Sequence, residues 1–448
     1  MSYLLSIKSV IFLCMLAVHI LNVIHPSQPV GQVVNFMTII AVFASIPFLG
    51  RNSRLVSLLL FAAGAYLLHI SGAGWVLWVE AMGKNTSLLM LLISVPLLGV
   101  PLRHGGYIST LDSLADKYMR GKRRMYLVPA IFSHVLGVFM NIGAVTLTYQ
   151  ITARGRVSEY PGILARSISR GFGSALFWSP NMVATALVLG YMKVPWESYV
   201  VLGIAFAAVS LVAGYAAELF VKGESLIMNA RNVEGCVSSS KDKLIQLLIA
   251  GFVFLSFVIF IETRTDISVI NIIPIIALVF PVLWLSLLGK VSSIKEGYRD
   301  YFKSRVNRYD GEVVLFVVAG FFSTALGLSG WAAKICSYLM HFSGQSMVSV
   351  AFTILLTVVI TSIAGIHPMI SVSAFATSLD TAAMGLNQVY LALVLIAGWS
   401  LGATVSPMSG TNLVVGSLTG KTPLEVAFGN ITHAVMVTAS IILFLAVG

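Results

Sequence analysis

Charge is scarce in this sequence. Only 10% of the 448 residues are Asp, Glu, Lys or Arg, where a soluble chain carries roughly 25%. Cysteine is scarcer still. Cys14, Cys236 and Cys336 are scattered, with no CxxC pair and no zinc-ligand spacing, so neither a disulfide framework nor a structural metal is indicated. No HExxH is present, which removes that route to a metalloprotease.

Apolar sequence is what abounds. Hydrophobic residues make up 58% and the mean hydropathy is +0.93. Apolar runs of about 20 residues recur, the length that crosses roughly 30 Å of hydrocarbon. The net charge of +11 sits in short loops between these runs. That is the arrangement of topology signals, and it excludes a nucleic-acid-binding stripe. The run from Tyr3 to Ile24 is longer than a signal-peptide core and has no small-residue cleavage site, so it is expected as a retained first helix.

Eleven spans are predicted, at 3–24, 31–49, 55–71, 86–102, 171–191, 199–221, 244–261, 267–289, 313–329, 388–404 and 423–447. Two further apolar stretches, 126–151 and 346–380, are expected to be re-entrant hairpins. The first is flanked on both sides by basic clusters, Arg103 to Arg124 and Arg154 to Arg170. A crossing helix would put one cluster outside, against the positive-inside bias. With both stretches as hairpins, 24 of the 28 Lys and Arg fall inside and only Lys84, Lys193, Arg264 and Lys334 outside. The N-terminus is then cytoplasmic and the C-terminus external.

The two halves echo each other. Lys193-Val194-Pro195-Trp196-Glu197 reappears as Lys421-Thr422-Pro423-Leu424-Glu425, Ser179-Pro180 as Ser406-Pro407, and Gly171 as Gly398, at offsets of 227 or 228. The charge map puts Lys193 outside and Lys421 inside, so the halves are expected to be inverted, as in many secondary transporters. The expected organisation is scaffold helices at 1–85, a first repeat at 86–221, connecting helices at 222–312 and a second repeat at 313–448. The first repeat holds the hairpin 126–151 and a broken helix 171–191; the second holds the hairpin 346–380 and a broken helix 388–419.

Polar and helix-breaking residues mark four interruptions. The hairpin centres carry Asn141 and Gly143, and Gly365, His367 and Pro368. The broken helices carry Ser179, Pro180 and Asn181, and Ser406, Pro407, Ser409, Thr411 and Asn412. Irregular backbone at membrane depth persists only where protein or a wet cavity satisfies it. Half-helices starting there aim their N-terminal dipoles inward, which suits a carboxylate. The blander alternatives are kinked ordinary helices and proline kinks sealed by Ser or Thr. His367 is either a proton carrier, a substrate ligand or a packed structural histidine; His134 and His433 read as structural. No acidic residue falls in the four interruptions, so an anionic or neutral solute fits better than a polyvalent cation.

A hairpin followed by a broken helix, twice over 86–221 and 313–448, resembles the ion transporter superfamily, which includes divalent-anion:sodium symporters and arsenite exporters. Its symporters carry Ser-Asn-Thr at each hairpin tip and a Thr-Pro-Pro-Asn-like turn in each broken helix. Asn141 stands for the Asn of the first tip, and Ser179-Pro180-Asn181 and Ser406-Pro407 with Thr411-Asn412 for the two turns. The tips here read Met-Asn-Ile and Ile-His-Pro. The resemblance implies an all-α integral membrane fold, a homodimer with an elevator-like moving domain, and sodium at Asn141, Ser179 and Asn181. The expected function is secondary active transport of a small carboxylate-type anion across the cytoplasmic (inner) membrane, coupled to sodium or to protons, with no other cofactor. Membrane lipid is an expected partner and nucleic acid is not. A subunit of a binding-protein-dependent carrier, an ion antiporter and a channel remain alternatives. Gly327-Leu328-Ser329-Gly330 matches the short GxSG of intramembrane serine proteases and is a weak signal; an enzyme is not expected.

Overall fold

In hydrocarbon each backbone N–H and C=O must be satisfied within the chain, so an apolar sequence of this kind is driven into helices. The computed structural model describes residues 7–119, 121–153, 159–221, 238–306, 309–343, 346–379 and 387–447. Among these there is no strand. The basic segments 154–158 and 222–237, which contribute to the charge map, lie outside the described residues.

Three apolar helices come first: α1 (Ile7–Ile24), α2 (Gln28–Ser45) and α3 (Arg51–Ile70). Then α4 (Trp75–Gly83), α5 (Thr86–Ser94) and α6 (Gly99–His104) make one segmented span, Trp75–His104, followed by α7 (Tyr107–Tyr118). The next group is α8 (Lys122–Met140), α9 (Gly143–Thr152), α10 (Pro161–Ala175), α11 (Val183–Met192) and α12 (Trp196–Leu219). After it come α13 (Ser238–Arg264), α14 (Val269–Leu287) and α15 (Val291–Asp300). The last group opens with α16 (Asp310–Leu328), α17 (Trp331–Ser343), α18 (Met347–Ile363) and α19 (Pro368–Ser378). It closes with α20 (Gln388–Val405), α21 (Gly410–Thr419), α22 (Pro423–Phe428) and α23 (Ile431–Val447).

Among the described residues ten segments are long and apolar enough to cross a membrane, and they coincide with ten of the eleven predicted spans. The eleventh, 171–191, is divided between α10 and α11, with irregular backbone from Leu176 to Met182. Two other differences follow from local chemistry. The span predicted from 86 begins at Trp75, because α4 runs into α5 with only Lys84 and Asn85 between them. Three stretches left outside the predicted spans, α7, α15 and α17, are amphipathic helices.

Large apolar side chains cover the outer surface. Phe43, Leu59, Val201, Phe220, Phe252 and Leu287 are all more than 60% exposed. In water such a surface would aggregate; in a bilayer it is the lipid-facing side. The chain is a multi-pass membrane protein.

Inside, small residues let helices approach closely, the usual device where lipid supplies no hydrophobic drive between them. A Cβ on Gly171 of α10 would lie 2.1 Å from the Ala130 carbonyl oxygen of α8. A Cβ on Gly398 of α20 would lie 3.0 Å from Val358 of α18. The two glycines that match in the sequence thus occupy the same kind of crossing. Element order matches as well: α7 to α12 and α17 to α23 each run as an amphipathic helix, two interrupted helix pairs and a closing apolar segment. In both groups the first pair packs against itself and against the longer helix of the second pair.

Candidate functional site

The four predicted interruptions are all breaks in the backbone. At the first, α8 stops at Met140 and α9 starts at Gly143. Asn141 between them has φ 50°, a region few non-glycine residues enter and Asn enters more readily than most. Its Oδ1 accepts the Ile142 N–H at 2.7 Å. At the third break, between α18 and α19, Gly365 has φ 92° and Pro368 is the first residue of α19, where its missing N–H costs nothing. His367 caps that helix, its Nδ1 accepting the Met369 N–H at 3.2 Å. A neutral imidazole whose Nδ1 is an acceptor carries its proton on Nε2, so His367 offers one N–H donor. Its ring stands edge-on to Trp399, with centroids 5.7 Å apart.

At the second break, between α10 and α11, side chains claim three successive freed carbonyls. The Leu176 carbonyl accepts from Thr185 Oγ1 at 2.6 Å, Phe177 from the Tyr199 hydroxyl at 2.8 Å, and Trp178 from Trp196 Nε1 at 2.8 Å. Asn181 Nδ2 donates to the Val138 carbonyl at 2.6 Å, tying the break to α8. Ser179 Oγ and Asn181 Oδ1 are buried with no partner among the described residues. The fourth break, between α20 and α21, is closed differently. Ser406 Oγ donates to the Ser362 carbonyl at 2.6 Å, and Ser409 Oγ accepts the Asn412 N–H at 3.1 Å. Asn412 donates to the Thr404 and Ser406 carbonyls at 2.7 and 2.9 Å and accepts from Ser169 Oγ at 3.0 Å. Every polar atom of the Asn412 side chain is used.

These breaks meet. A cavity of about 360 Å³ is lined by residues from all four, at or just before the first turns of α9, α11, α19 and α21. Four helix N-termini therefore surround one space, each worth roughly half a positive charge. Of the expected site residues, Asn141, Gly365, His367, Pro368, Ser406, Ser409 and Thr411 line it. Gly143, Ser179, Pro180, Asn181, Pro407 and Asn412 do not. Asn181 and Asn412 are fully buried behind the cavity wall, where they hold the broken helices together.

Phe172, Leu176, Phe316 and Trp399 supply apolar lining. No Lys or Arg is among the described lining residues; the charged side chain among them is Glu312, in the first turn of α16. The sequence places Glu312 one residue before an apolar run, where it looks like an interfacial helix cap, and nothing local indicates that α16 turns it to the cavity.

A second polar cluster lies behind the fourth break. Arg170 is 1% exposed and donates to Asn430 Oδ1 at 2.9 Å and to the Gly214 and Gly429 carbonyls at 2.8 and 2.6 Å. Glu218 balances it at 3.5 Å and is held by Arg166 through two hydrogen bonds of 2.8 and 2.7 Å. Asn430 also donates to Ser169 Oγ and the Thr404 carbonyl, each at 3.2 Å. The cluster thus joins α10 and α12 to α20, α21 and the turn between α22 and α23. Arg170, which the sequence alone counts as one more basic residue at a helix end, is a buried paired charge.

His134 and His433 are bound within the protein. His134 bridges Ser174 Oγ at 2.7 Å and Trp178 Nε1 at 3.3 Å, and His433 Nε2 contacts Ser210. Ser329 Oγ donates to the Leu326 carbonyl at 3.0 Å where α16 ends, beside Gly330 with φ 73°. The GxSG match is a helix stop.

No protein-family model matches the chain. Over 163 residues, 36% of the chain, it is 23% identical to the anaerobic C4-dicarboxylate transporter DcuC of Escherichia coli K12, and equally to that of Shigella flexneri. The chain spans about a third of the length of these curated relatives, 35% in each case. In fold it is similar to the crystal structure of the Alcanivorax borkumensis YdaH transporter, with a TM-score of 0.58. That likeness covers 88% of this chain and 98% of the other at 14% identity, so it speaks for the fold alone.

Proposed function

We propose that this chain is a secondary active transporter that moves a small carboxylate-type anion across the cytoplasmic membrane. The observation that carries the proposal is the convergence of four helix N-termini on one cavity, with no basic side chain among its described lining residues. Such a space favours a carboxylate through dipoles and backbone N–H groups. The distant similarity to a C4-dicarboxylate transporter is in keeping with it.

In this reading α8–α9 and α18–α19 are re-entrant hairpins, and the two element groups form inverted repeats. The substrate sits between the breaks, and the hairpins with their broken helices move as one body, elevator-fashion, against the rest, in a homodimer. Sodium is the coupling ion, held beside the second break. The donor set fits: Ser179 Oγ and Asn181 Oδ1 are neutral hard oxygens, buried and unclaimed by any described residue. Asn141, the third expected ligand, is in the neighbouring break. The corresponding atoms of the second half, Ser406 Oγ and Asn412 Oδ1, are already hydrogen-bonded, so one sodium site is expected there rather than two.

Thermal unfolding of the purified protein tests this, with a panel of carboxylates in sodium and in choline. Sodium should raise the midpoint and deepen the effect of the bound carboxylate, and Ser179→Ala should remove the sodium-dependent part. A carboxylate effect indifferent to sodium, but driven in vesicles by a pH gradient and uncoupled by His367→Gln, would move the coupling to a proton on His367.

A further inference from the structure

We propose that the substrate carries a positively charged group beside its carboxylate, as an amino acid does, and that Glu312 receives it. The inference rests on the carrier reading above and narrows its substrate class. Tyr309, which caps α16, and Glu312 and Phe316 on it all line the cavity, so one stripe at spacings of three and four faces the substrate space. Glu312 is exposed into it and has no hydrogen bond or ion pair to another described residue. Lys8, which pairs with Asp310 two residues before Glu312, is already engaged: its Nζ lies 2.9 and 2.8 Å from the two carboxylate oxygens of Asp310 and stacks over Phe48.

The cavity therefore has two electrical characters. The breaks contribute helix N-termini and the His367 donor, and α16 contributes a lone carboxylate. A dianion would find N-termini for one end, no Lys or Arg among the described lining residues for the other, and repulsion from Glu312. A monocarboxylate would leave Glu312 unpaired as the cavity loses water, which is costly for an ion. An amino-carboxylate satisfies both groups at once, and its carbon body meets Phe172, Phe316 and Trp399.

The experiment is a binding panel on the purified full-length protein in sodium, read by calorimetry. It uses amino acids of increasing chain length, each beside the monocarboxylate that lacks the amine and the dicarboxylate of equal length. The best amino acid should bind about tenfold or more tighter than its amine-free partner, the scale of a hydrogen-bonded charge pair. Glu312→Gln should bring that ratio near one, and Glu312→Asp, which keeps the charge, should retain most of it. A dicarboxylate binding best, or a ratio unchanged in Glu312→Gln, overturns the inference and leaves the carboxylate carrier standing. Failure of every carboxylate to bind the wild-type protein overturns both.

Discussion

Asn412 and Asn141 are both asparagines at helix breaks, yet their surroundings assign them different work. Asn412 is fully buried and its side chain holds three partners across the fourth break. Asn412→Ala leaves those groups unpaired, at about 1–3 kcal/mol for each buried group left unsatisfied. Its unfolding midpoint in detergent, followed by tryptophan fluorescence, should fall sharply. Asn141 is half-buried and lines the cavity, and its side chain accepts from its own neighbour, the Ile142 N–H. Asn141→Ala should unfold close to the wild-type midpoint while losing the rise that carboxylate and sodium give. A reversed pattern would place Asn412 at the ligand and Asn141 in the frame. The sequence marks both residues as polar interruptions of apolar runs and does not separate these roles. The difference lies in partners such as Ser169, 243 residues away from Asn412, and long-range partners leave no local pattern.

At the scale of elements, the breaks were legible because their causes are local. Pro180, Pro368 and Pro407 remove donors, Gly365 permits a positive φ, and Asn141 tolerates one. What seals the breaks was not legible: Tyr199, Trp196 and Thr185 reach the freed carbonyls from elements that read simply as apolar spans. Glu312 escaped notice for the same reason, since its approach to the cavity depends on how α16 is rotated. The hairpin reading of α8 and α9 makes a claim about sides. Single cysteines at Tyr118 and Glu159, both exposed, flank the pair in chain order. In a background without Cys14, Cys236 and Cys336, both Tyr118→Cys and Glu159→Cys should resist an impermeant maleimide applied from outside and react after permeabilisation. Labelling of one and protection of the other would make the α8–α9 segment a crossing and remove the inverted repeat.

Taken whole, the molecule follows from one physical constraint. A chain with so little charge has hydrocarbon as its solvent, and only helices with satisfied breaks survive there. Ten of the eleven predicted spans emerged on that basis, and the eleventh is the broken pair α10–α11. The same constraint explains why buried polar atoms are tied to partners or to the cavity. Many of them seal the breaks, form the Arg166–Glu218–Arg170 cluster, or face the central cavity. The central claim is that this cavity is the site of a carrier acting alone, and counterflow in proteoliposomes tests it most directly. Vesicles containing only the purified chain, preloaded with an unlabelled carboxylate identified by thermal shift, are diluted into a trace of the labelled compound in equal sodium. The account predicts transient accumulation of label above equilibrium that saturates with concentration and disappears in Asn141→Ala. Label that merely equilibrates without saturating, or that enters only when a soluble binding protein is added, would contradict it.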